Sequence, residues 1–184
     1  MSNFITNLMI SSILVLVTIS TKTYAAPITY VESSQIVVCP DGSMVSVWQS
    51  NVDDSSSIQT SVYDRNQWST PEAISVAEQY SFNLKLIKDS QGNVVVGWLG
   101  LDINQAIYVL CVATKSFGDV WSVPVVLSSR DKQVQSFSFN SDTVAGKGTF
   151  SVIWTEIDNA TGDISILSSI YTVGGSWSPE VQIN

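Results

Sequence analysis

The sequence predicts an all-β protein of three tandem four-stranded antiparallel propeller-like blades, a partial β-propeller. Three observations carry that prediction. Six tryptophans, all after residue 40, fall into three pairs, Trp48 with Trp68, Trp98 with Trp121 and Trp154 with Trp177, spaced by 20, 23 and 23 residues. The first members recur after 50 and 56 residues and the second after 53 and 56, a period typical of stacked repeat units. Apolar alternation of period two, rich in Val, Ile, Ser, Thr and Tyr, runs through the chain beyond its N-terminal segment, with no 3.6-residue stripe to compete with it.

The N-terminal segment is of another kind. Leu8 to Ile19 reads LMISSILVLVTI, a 12-residue apolar run. That is short of the roughly 20 residues a membrane-crossing helix needs, and it matches the apolar region of an export signal. The small residues of TYAAP follow. Residues 1–25 are therefore expected to be a secretory signal peptide cut after Ala25, with Ala26 as the other site, although no Lys or Arg precedes the run. The expected location is secreted, periplasmic or otherwise extracytoplasmic, with no membrane span after leader removal.

Residues 26–184 form the domain, in repeats of approximately 34–76, 81–127 and 133–184. The first tryptophan of each unit ends an alternating run, SMVSVW, NVVVGW or TFSVIW, and the second opens WSTPEAIS, WSVPVVLS or WSPEVQI. Strands are expected at 34–40, 43–49, 56–63 and 71–76 in the first unit and at 81–88, 93–99, 106–113 and 123–127 in the second. Those of the third lie at 133–140, 148–156, 163–171 and 179–183. DG at 41–42 and QGN at 91–93 suit tight turns between the first two strands. One small sheet cannot hide both of its faces, so the sheets must stack. The tryptophans are then structural repeat positions, each burying up to about 150–250 Å² against a neighbouring sheet. The alternative for one or two of them is stacking on a sugar ring; recurrence in every unit favours the scaffold.

Composition narrows the partners. Without the leader, seven basic residues face sixteen acidic ones, a formal charge of −9. Such a field repels nucleic acid and anionic membrane surfaces. Cys39 and Cys111 lie inside apolar runs, IVVC and IYVLCVA; a bridge is permitted outside the cytoplasm, and two unpaired core thiols are the simpler reading.

The chain has no histidine, which removes His-based acid–base work and most transition-metal sites. No phosphate loop and no DxDxDG-like run occurs, so neither cofactor nor metal is expected. Carboxylates are the remaining catalytic currency. They follow the first tryptophan of each unit: Asp53 and Asp54, Asp102, and Glu156 with Asp158. A glycosidase needs two, about 5–9.5 Å apart. Solvent-facing hairpin loops would hold the same residues merely to cap turns. No catalytic residue is therefore assigned; Asp102, Asp53, Glu156 and Asp158 are the candidates, on loops that a propeller would present on one face. NAT at 159–161 is an N-glycosylation acceptor in an expected loop.

The stretch before each second tryptophan, SVYDRNQW (61–68), TKSFGDVW (114–121) and IYTVGGSW (170–177), resembles the Asp-box of sialidase-type β-propellers, S/T-x-D-x-G-x-x-W. The second keeps Thr114, Gly118 and Trp121, the third Gly174 and Trp177, and the first Ser61 and Trp68. The motif's aspartate is replaced by Tyr63, Ser116 and Thr172. The resemblance implies a propeller blade. Sialidases of this family hold substrate with three arginines, and beyond the leader this chain has only Arg65 and Arg130. The implied relationship is to a non-catalytic or partial member.

The expected function is thus an exported, non-enzymatic binding or structural module recognising glycans or a protein surface. The alternative is a weakly active, carboxylate-based glycan hydrolase. Propellers close with four to eight blades, and three units leave two faces bare. A homodimer closing a six-bladed ring, or a larger propeller assembly, is the expected partner; a longer array cut short and an open monomer are the alternatives.

Overall fold

A computed structural model describes residues 29–53, 55–75, 80–144 and 147–184. The expected leader, Asp54 and the short stretches at 76–79 and 145–146 lie outside the described residues.

The first blade comprises β1 (Thr29–Val38), β2 (Met44–Val52), β3 (Ser55–Asp64), β4 (Gln67–Trp68) and β5 (Glu72–Ala73). The second holds β6 (Ser81–Lys88), β7 (Val94–Asp102), β8 (Ile107–Lys115) and β9 (Val125–Val126). The third holds β10 (Gln133–Val144), β11 (Lys147–Ile157), β12 (Ile164–Thr172) and β13 (Val181–Gln182). Each sheet is an antiparallel meander in chain order, with β4 and β5 both pairing with β3 in the first. The three blades are as the repeats predict. No helix of the described residues is long and apolar enough to cross a membrane.

Two details depart from expectation. β1 begins at Thr29 rather than at residue 34. The fourth strands shrink to two residues. Pro71, Pro124 and Pro179 stand at their entrances, and proline has no N–H to extend a ladder. Serine completes the pairing instead. The residue after each second tryptophan accepts an N–H of the third strand on its hydroxyl: Val62 N donates to Ser69 Oγ (3.1 Å), Thr114 N to Ser122 Oγ (3.0 Å) and Ile170 N to Ser178 Oγ (3.0 Å). That is the structural work of the repeated Trp-Ser dipeptide. Ser122→Ala is expected to destabilise the fold by about 1 kcal/mol, the worth of one such bond, lowering the urea midpoint with an unchanged slope.

The first strands adjoin one another, β6 packed between β1 and β10. They are joined through side chains rather than a ladder. Gln35 Nε2 donates to the Leu84 carbonyl (2.8 Å), while Leu86 N donates to Gln35 Oε1 (2.7 Å). Each first strand is also bulged near its start, between Glu32 and Ser34, Phe82 and Lys85, and Val134 and Ser136.

The core lies between blades. Val47, Ile58, Trp98, Val109 and Cys111 form one cluster, at the first junction. Leu99, Val112, Val152, Trp154 and Leu167 form another, at the second. β7 is covered on both sides, and seven of its nine positions in succession are buried. The first tryptophan of a blade faces the preceding blade, so Trp98 and Trp154 are each 1% exposed. Trp121 and Trp177 pack at the cluster margins. Trp48 is only half-buried and Trp68 is 47% exposed, because blade 1 has no described blade before it. Among the described residues, the scaffold role expected for all six is therefore met by four. Cys39 and Cys111 are buried and unpaired, and burial pushes the Cys111 thiol up to about 11.

Candidate functional site

The blade end where the first strands begin also carries the hairpins from second to third strand. Along it the alternation of β2 changes character. Val45, Val47, Gln49 and Asn51 all face blade 2, and all are buried. The first two are apolar; the last two bring amides into the same face.

Glu32 reaches these amides because of the β1 bulge. Residues three apart on a regular strand point to opposite faces. The extra residue Ser33, with φ 49°, brings Glu32 and Gln35 to one face, opposite Gln49 and Val47 respectively. Gln49 Nε2 donates to Glu32 Oε2 (3.1 Å) and to Asn51 Oδ1 (3.1 Å), and Asn51 Nδ2 donates to the same Glu32 oxygen (3.3 Å). Across the junction, Ser81 N donates to Ser56 Oγ (2.6 Å), which donates to the Ser81 carbonyl (3.1 Å). This exchange clamps the floor.

The result is a cleft of about 390 Å³ between blades 1 and 2, at the small end of ordinary ligand sites. Its polar side is Glu32, Gln49 and Asn51; its aromatic side is Tyr30, Tyr80, Phe82 and Tyr108. Tyr30 and Tyr80 are about half exposed. The Tyr108 ring meets Phe82 edge-on, centroids 4.6 Å apart at 79°.

The four carboxylates singled out from sequence lie elsewhere on this end, and none lines the cleft. Asp102 is buried, not solvent-facing, and Arg130 Nη1 donates to its Oδ2 at 2.8 Å. That hydrogen bond holds its carboxyl below the ordinary carboxylate range, against an opposing push from burial. Asp102 thus anchors the blade 2–blade 3 connector as an anion. Glu156 is also buried, 1% exposed, and its Oε1 accepts from Trp154 Nε1 (2.9 Å) and Ser129 N (3.1 Å). Both are buried rather than solvent-facing, because the second strands run deep enough to cover them, and Asp102 still caps its turn, its Oδ1 accepting from Asn104 N (3.0 Å). Asp158 also caps a turn. Its Oδ1 accepts from Ala160 N (2.8 Å) and Thr161 N (3.2 Å), which lower its pKa. Asp53 sits exposed in the first hairpin with φ 50°. Among the described residues no three His, Cys, Asp or Glu side chains gather as a metal would require.

A larger groove, about 760 Å³, runs between the outer strands of blades 2 and 3, past Trp177, Pro179 and Glu180. Burial and then the neighbouring Glu156 push the Glu180 carboxyl up. The serines there, Ser122 and Ser178, already accept strand N–H groups, so few polar groups converge. The smaller cleft is the better equipped site.

Sequence reasoning missed Glu32, Gln49, Asn51 and the tyrosines. One signal was present: QSN at 49–51 continues the alternation of SMVSVW and substitutes amides for valines on its inward face.

No protein-family model matches the chain, and no curated protein does. Among solved structures, the chain is similar to an N-acetylgalactosamine deacetylase from F. plautii in complex with blood group B trisaccharide. The identity is 11%, the TM-score 0.48, and the match covers 85% of this chain and 52% of that one, so the chain spans about half its length. At that similarity neither site nor activity transfers. The expectation of a non-enzymatic chain finds no support there, since that structure is of an enzyme crystallised with a glycan.

Proposed function

We propose that this chain acts on glycans in the blade 1–blade 2 cleft, with Glu32 as its working carboxylate. The observation that carries the proposal is the hydrogen-bonded Glu32–Gln49–Asn51 group at an aromatic-lined cleft. A sugar offers a C–H face and a rim of hydroxyls. Tyrosine rings suit the first; amides and a carboxylate suit the second. A carboxylate anchored within reach of a bound hydroxyl or water is equipped as a general base. Asp102 and Glu156 are committed to Arg130 and Trp154 and lie outside the cleft, so neither supplies it with a second catalytic acid.

Export through residues 1–25 and association of copies belong to the same proposal, as does kinship with Asp-box propeller repeats. Backbone shape supports the kinship. Where that motif has glycine, Arg65, Gly118 and Gly174 have φ of 47°, 78° and 84°. All three blades turn through the left-handed region there, and only the first does so without glycine.

Binding on a glycan array, followed by product release from the glycans bound, tests the activity. Asn51→Ala is expected to weaken binding about tenfold. Glu32→Gln is expected to lower turnover by about a hundredfold or more while binding changes little. A folded chain that binds no glycan and releases no product would overturn the proposal.

A further inference from the structure

We infer that a second copy of this chain seats head to tail on the first, the Trp48 face of each against the Ile153 face of the other, closing a ring of six blades. The inference deepens the association just proposed by naming its surfaces. It stands on register. At the first internal junction, Trp98 and its ladder partner Cys111 face blade 1 and pack in one cluster with Val47 and Ile58. At the second, Trp154 and its partner Leu167 face blade 2 and pack with Leu99 and Val112. In blade 1 the same position belongs to Trp48, partnered by Gln59, and it points away from blade 2. The flanking Ile36 and Val38 are each 53% exposed.

The receiving side follows the same rule. Val47 with Thr60 in blade 1, and Gly97 with Val112 in blade 2, are the positions that meet the next blade. Their counterpart in blade 3 is Ile153 with Ser168, and Ile153 is 48% exposed beside Ile164 and Ile170, 58% and 51% exposed. Among the described residues, one outer face therefore presents a tryptophan without a seat, and the other a seat without a tryptophan. The central rows, Ser34–Trp48–Gln59 and Ser138–Ile153–Ser168, carry no charge, so contact there buries no ionised group and opposes no like-charge pair. Apolar sheet faces of this kind gain by burial. A contact between two different faces, made twice, closes a two-fold ring. Six blades fall within the four to eight at which propellers close.

Light scattering on the purified chain across a hundredfold dilution tests this. The wild type is expected at the mass of two copies. Trp48→Asp and Ile153→Asp are each expected to run as single copies with an unchanged circular dichroism spectrum, self-association weakened by about a hundredfold or more. Ser168→Arg, at a position already polar, repeats the test if Ile153→Asp misfolds. Mixing the two aspartate variants leaves one intact Trp48–Ile153 contact and is expected to restore pairs. A single-copy wild type would overturn both the association and this contact. A two-copy wild type unaffected by either variant would overturn the contact alone. Dissociation that mixing does not reverse would overturn the head-to-tail arrangement.

Discussion

Trp154→Ala is expected to destabilise the protein by about 3–5 kcal/mol, the range for emptying a large aromatic site in a core. Trp154 is 1% exposed and sits centrally in the blade 2–blade 3 cluster, with Leu99, Val112 and Leu167 around it. Its indole N–H also satisfies Glu156, a carboxylate as deeply buried as the ring. Removing the ring therefore opens a cavity and takes one of two hydrogen-bond donors from a buried acid. Trp154→Phe separates the two effects: most of the volume stays and the donor is lost, for an expected loss of about 1–3 kcal/mol. Trp68→Ala, at a ring 47% exposed, is expected to lose less than about 1 kcal/mol. Urea unfolding of the three variants reads the contrast. Equal losses at Trp154 and Trp68 would remove the distinction between inter-blade and outer-face tryptophans.

Gly148→Ala is expected to lose about 3 kcal/mol, and the reason lies in the neighbouring blade. The glycine backs directly onto the Asp89 carboxylate, and an added methyl would collide with Asp89 Oδ2. A flexible side chain would swing aside. Asp89 is 3% exposed, and its carboxylate accepts from Gln91 N (2.9 Å), Asn93 N (2.9 Å) and Asn93 Nδ2 (2.7 Å). Moving it breaks the turn that joins β6 to β7, so overpacking and lost hydrogen bonds add. Gly97 is a milder case of the same kind, its added Cβ falling 2.5 Å from Phe139 Cζ. Phe139→Leu should recover part of the Gly97→Ala loss, a coupling that a double-mutant cycle in urea measures. A Gly148→Ala variant as stable as the wild type would mean that blades 2 and 3 do not meet this closely.

These glycines show where sequence reading stops. GNVVVGW announces a strand with an internal glycine, and the phenylalanines that forbid a methyl there arrive some 40 residues later. The candidate site was hidden in the same way. Gln49 and Asn51 were visible as polar residues on an inward face, whereas Glu32 meets them only because Ser33 bulges out of β1. A one-residue shift reverses the face of every residue before it, and no residue type announces it. Burial of Asp102 and Glu156 was equally illegible, since exposed and buried ends of a strand read alike until the adjoining connector is placed over them.

What the sequence determined by itself is the repeat: three all-β units, the strands within each, the recurring Trp-Ser dipeptide, and the placing of acids at one blade end. These follow from local alternation and from a period that nearest neighbours enforce. What only the tertiary structure decided is which of six equivalent tryptophans are covered, which carboxylates are buried, and which residues face a common cleft. Those depend on the sheet that comes next. A strand fixes its two faces through its own alternation, but it leaves to its neighbour which of them meets water.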